Sequence, residues 1–72
     1  MNYDKTELAI CYKFLTDDDK LTRKITLHEM KTRGWSRQFV QQAILEGCGE
    51  DVTLTPRLTD HGVGYYDIDF AG

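Results

Sequence analysis

The sequence predicts an α+β domain of three short helices followed by a C-terminal β-hairpin, and three observations carry that prediction. Apolar residues from Leu8 to Leu15, and again from Phe39 to Ile44, recur at helical spacing. Between them Thr26, Gly34 and Ser36 stand where a helix start, a reversal and a second helix start would fall. From Val52 onward the apolar period drops to two, and a glycine-rich stretch divides the alternation in half.

Seventy-two residues make one domain, 1–72, near the size at which a single core only just offsets chain entropy. Apolar residues are 40% and charged ones 29%, with a mean hydropathy of −0.51, which fits a globular chain rather than a disordered one. No apolar run is long enough to span a bilayer, so no membrane role is expected. The first residues, MNYDKTELAI, place Asp4 where a secretory signal needs positive charge and then an apolar block, and a cytoplasmic location is expected.

The first helix is predicted over about 3–15, capped by Asn2 or Asp4 and ended by Thr16 and the acidic run Asp17, Asp18, Asp19. Leu8, Cys11, Tyr12 and Leu15 share its core face. Ile10 and Phe14 project from another flank. They are either covered by a loop or the hairpin, or form a partner-binding surface for a second copy or another protein. The three aspartates do not fit a calcium loop, which needs a glycine near Thr22 and a later bidentate acid, so they read as a solvated turn. Ile25, alone among polar neighbours, suits a short strand that pairs later in the chain.

Residues 26–46 form the centre. One helix is predicted over about 26–33, with Thr26 as cap and Leu27 and Met30 as its apolar side. Gly34 makes the reversal, which favours the left-handed backbone that only glycine adopts freely. Trp35 then plugs the wedge between the helices or, exposed, anchors a partner. The next helix is predicted over about 36–46, capped by Ser36 and ended at Gly47 or Gly49, with Phe39, Val40, Ala43 and Ile44 inward. Its outward face carries Gln38, Gln41 and Gln42, with Leu45 in their midst. This is a helix-turn-helix pattern.

In the hairpin, predicted over about 52–70, Val52, Leu54 and Leu58 alternate with polar residues, as do Tyr66, Ile68 and Phe70, and Pro56 marks an edge or a bulge. Charge is unevenly spread. Lys20, Arg23, Lys24, Lys31, Arg33 and Arg37 face Glu29 alone in the approach to the central motif, while the total is −3. That basic segment is either a phosphate-facing patch or solvated surface.

The central residues resemble the helix-turn-helix of winged-helix DNA-binding domains. Met30 takes the small or apolar slot of the second helix, Gly34 the turn, Trp35 the apolar slot after it, and Val40 and Ala43 the buried slots of the recognition helix. Family members often carry alanine where Met30 stands, so a wider crossing of the two helices is expected here. The resemblance implies a winged-helix-like domain that contacts double-stranded DNA through Lys24, Lys31, Arg33, Ser36, Arg37, Gln38, Gln41 and Gln42, with the hairpin as wing. In the wing only Arg57 and His61 offer positive charge, against Asp60, Asp67 and Asp69.

Two functions follow. One is a small DNA-binding transcriptional regulator, expected as a homodimer because a single domain of this size makes few phosphate contacts. The other is a protein-binding adaptor or inhibitor of the kind encoded by phages and mobile elements, acting through Ile10, Phe14 and Leu45. No motif places a nucleophile, an acid pair or a phosphate-binding loop, so neither catalytic residues nor a cofactor is expected. Cys11, Cys48, His28 and His61 lack the close spacing of zinc ligands, and both thiols are expected reduced and mostly buried.

Overall fold

A computed structural model describes residues 3–18 and 20–71 as a mixed α+β unit with three helices and two small antiparallel sheets. Helix α1 spans Lys5–Leu15. Asp4 caps it, its carboxylate accepting from the backbone N–H groups of Thr6 and Glu7 at 2.8 and 3.3 Å. Asn2, the alternative cap, lies outside the described residues, as does Asp19.

Where a plain helix end was expected, the chain makes a miniature hairpin. Strand β1, Thr16–Asp17, pairs with β2, Lys20–Leu21. Asp18 takes a positive φ of 51° at its turn, a conformation that aspartate adopts more readily than most residues.

Strand β3, Lys24–Thr26, runs into α2, Leu27–Arg33, and α3 follows over Arg37–Cys48. Thr26 and Glu29 form a reciprocal capping box: the Glu29 N–H donates to Thr26 Oγ1 at 3.0 Å, and the Thr26 N–H donates to Glu29 Oε1 at 2.9 Å. Gly34 ends α2 with φ 73°, and Ser36 caps α3 by accepting from the Phe39 N–H at 3.1 Å. Helix α3 runs two residues past its expected end, through Gly47 and Cys48, because the left-handed cap is Gly49.

Strands β4, Val52–Thr59, and β5, Gly62–Phe70, form the hairpin, and β3 pairs with β5 to give the order β3-β5-β4. Ile25 is opposite Tyr66 in that pairing. The edge position of β4 accommodates Pro56, which has no N–H to donate. Leu8, Cys11 and Leu15 of α1 close the core with Ile25, Met30, Phe39, Val40, Ala43 and Ile44, and the sheet adds Val52, Leu54 and Ile68.

Three burial expectations are corrected. Leu58 is 79% exposed. The alternation that buries Val52 and Leu54 ends already at Pro56, which is exposed, so Leu58 lies on a part of β4 that no longer covers the core, and one step on β4 from Arg57 to Leu58 then matches two on β5 from Tyr65 to Val63. Phe70, at the end of β5, is also exposed. Cys48, on the last turn of α3, is exposed, whereas Cys11 is buried. Among the described residues no helix is long and apolar enough to cross a membrane.

Candidate functional site

The capped turn fixes the start of α3 and therefore what that helix presents. Ser36, Arg37 and Gln38 are exposed on its first turn. The Arg37 guanidinium stands 6.0 Å from the centre of the Tyr66 ring, at the side of the hairpin. Lys31 is exposed on the last turns of α2, just before the reversal.

Further along α3 the outward face differs from the one that helical spacing suggests. Gln41 is partly buried, and its Nε2 donates to the Val52 carbonyl at 3.1 Å, tying α3 to the first residue of β4. Gln42 Nε2 donates to Glu46 Oε1 at 3.2 Å one helical turn on. Gln38 is the exposed member of the three. Leu45 is 43% exposed and stays on the surface. It shares a shallow depression with Gln38, Gln41, Gln42, Tyr3 and Asp51.

The hairpin's charges are largely spent on one another. Arg57 donates through Nε to Asp67 on the neighbouring strand, and this hydrogen bond raises the guanidinium pKa further. Thr55 Oγ1 donates to Asp69 at 2.8 Å. The Lys24 ammonium lies 5.2 Å from the centre of the Tyr65 ring on the same sheet. His61 is exposed in the turn beside Asp60.

Arg33 is turned the other way, toward α1. Its guanidinium sits 4.1 Å from the Phe14 ring centre and 5.6 Å from that of Trp35, while Nη1 donates to the Glu29 carbonyl at 3.1 Å. Trp35 is half-buried and spans from α1 to α3, edge-on to Phe14 at 5.4 Å and stacked with Phe39 at 6.3 Å. The wedge expected of it between α2 and α3 is thus displaced toward α1. Tyr3 completes the chain of rings, edge-on to Phe39 at 5.3 Å.

These rings form the floor of a groove of about 660 Å³ between the outer flank of α1 and the α2–α3 turn, with Asp4, Glu7 and Ile10 along its α1 side and Arg33 at its other side. Ile10 is 59% and Phe14 39% exposed, so among the described residues no loop and no part of the hairpin covers that flank. The groove brings together Ile10, Phe14, Arg33 and Ser36 from the sequence-based set with Trp35, there the alternative partner anchor, and adds Tyr3, Glu7 and Phe39, which that reading did not assign to a site. A signal for part of it was present: Tyr3, Glu7, Ile10 and Phe14 recur at intervals of four, three and four residues.

Comparison of the chain with known protein families, with curated proteins and with solved structures finds no match in any of the three.

Proposed function

We propose that the chain is a small winged-helix-like DNA-binding regulator. The observation that carries this reading is the coupling of a capped helical turn to the sheet. The strand before α2 pairs with the second strand of the hairpin after α3, in the order β3-β5-β4. That arrangement sets β5 of the hairpin near the start of α3, where the Arg37 guanidinium stands 6.0 Å from the Tyr66 ring, and a recognition helix flanked by a wing would need such a neighbour.

The contact set is narrower than the eight residues expected around the central motif together with Arg57 of the wing. Lys31, Ser36, Arg37 and Gln38 are exposed near the turn, while Arg57 is paired with Asp67 and the Gln41 amide with Val52. Arg37 and Lys31 serve phosphates, and Gln38 can pair with an adenine edge. Few cations also mean a modest salt dependence, about −0.9 in log–log slope for each phosphate neutralised. Titration of a random-sequence duplex pool over ionic strength tests the reading: binding that weakens with salt at a shallow slope is expected, and absence of binding at the lowest salt overturns it.

A second reading, a protein-binding adaptor or inhibitor, is favoured by a different observation. Ile10, Phe14 and Leu45 are exposed on a domain whose hairpin is acidic and whose Arg57 is internally paired. That pattern suits a protein surface better than a phosphate backbone. Loss of a specific protein contact on Leu45→Arg, with folding intact, would distinguish it from the first.

A further inference from the structure

We propose that the groove between α1 and the α2–α3 turn is where two copies of this chain meet, with their α1 helices packed antiparallel about a two-fold axis close to Ile10. Glu7, Ile10 and Phe14 follow the three-four spacing of a seam on α1, Tyr3 flanks them just before the helix, and all four line the groove. The seam is uncovered at its centre, where Ile10 is 59% exposed.

The occupant follows from how charge is laid along that seam. Glu7 lies toward the start of α1, and the Arg33 guanidinium lies over Phe14 toward its end. An axis at Ile10 sets Glu7 of each copy opposite Phe14 of the other, and so within reach of the partner's Arg33, twice over. A surface with an acidic end, an apolar middle and a basic end is complementary to itself when turned through a half-rotation, as an isologous interface requires. Asp4 reinforces the acidic end while its carboxylate also caps α1. A partner of one sign would satisfy only one end of the seam.

Arg33 and Ser36 line this groove and also belong to the set first assigned to DNA. The contact and a DNA complex therefore draw on shared residues, but self-association is measured without DNA and stands or falls separately from the function proposed above.

The test is the solution mass of the full chain, without nucleic acid, by sedimentation over a concentration series. The expected result is a reversible rise from monomer to dimer mass, at high concentration because an 11-residue helix makes a small interface. Ile10→Arg, at an exposed position, should weaken association about tenfold or more while leaving the circular dichroism spectrum unchanged. Glu7→Arg should weaken it by placing like charges together, and adding Arg33→Glu to that variant should restore it. A chain that stays monomeric throughout the series overturns the proposal, as does a dimer indifferent to Ile10→Arg. Ile10→Arg decides the matter even where the charge-swapped variant does not fold.

Discussion

Gly47 of α3 passes directly beneath the Tyr12 ring of α1, so that a methyl group on its α-carbon would overlap the ring near its root. Replacing a glycine inside a helix by alanine ordinarily stabilises by about 0.5–1 kcal/mol. Here the ring must move, and overpacking of this kind costs about 1–3 kcal/mol. Gly47→Ala is therefore expected to lower the thermal midpoint. In a double-mutant cycle with Tyr12→Ala most of that loss should disappear, because the overlap goes with the ring. Additive effects of the two changes would refute the contact.

The capping box at the start of α2 has a pH signature. The Glu29 carboxyl is held below its ordinary value of 4.5, chiefly by the hydrogen bond from the Thr26 backbone N–H. A carboxyl with a depressed folded-state value contributes stability above its unfolded value and loses it as pH falls through the folded one. Stability from this group should therefore be present at neutral pH and fade below about 4.5. The carboxylate is largely solvated, so the effect is a few tenths of a kcal/mol at most. Glu29→Gln keeps the cap geometry and should flatten the acid limb of a urea-midpoint series, whereas Thr26→Ala should cost about 1 kcal/mol at neutral pH.

The two thiols should behave differently. Burial pushes the Cys11 thiol from 9.0 up to about 12, while Cys48 lies on the surface at the end of α3. A disulfide-exchange reagent at mildly alkaline pH should modify Cys48 in the native protein and Cys11 only in denaturant. A group whose folded value is raised stabilises fully below its unfolded value and less as pH climbs through the folded one. Cys11 should thus make stability decline as pH rises from about 9 toward 12, and Cys11→Ala should make that alkaline limb shallower. Rapid native labelling of both thiols would contradict the burial.

Features decided within three or four residues were legible in the sequence. Thr26 and Ser36 as caps and Gly34 with its positive φ are local arrangements, and the helical core residues from Phe39 to Ile44 followed from period alone, whereas the return bond from the Thr26 N–H to Glu29 was not read. Ile25 as a later-pairing strand was also legible, since a lone apolar residue before a cap has few other ways to be buried. What escaped depends on distant chain. Gln41 reads as a surface glutamine until Val52 arrives eleven positions later. Leu58 reads as core by its spacing from Val52 and Leu54, but β4 stops covering the core after Leu54. The groove escaped because its floor is assembled from α1, the turn and α3 together, and no segment carries its pattern alone.

The same separation between local and distant partners tells the glutamines of α3 apart. Gln41→Ala removes the bond that ties α3 to β4 and leaves the partly buried Val52 carbonyl without its side-chain donor, so it should cost about 1 kcal/mol of stability. Gln38 is exposed on the first turn, so Gln38→Ala should leave the denaturation midpoint unchanged. If the DNA reading holds, Gln38→Ala should shift which sequences are preferred. Arg37→Ala should then weaken binding to all of them and reduce the salt slope by about 1. Denaturation and binding measured on the same three variants separate the roles, because a glutamine held by the Val52 carbonyl cannot also read a base without giving up that bond. A Gln41→Ala variant of unchanged stability but altered sequence preference would show that the bond to Val52 yields to DNA.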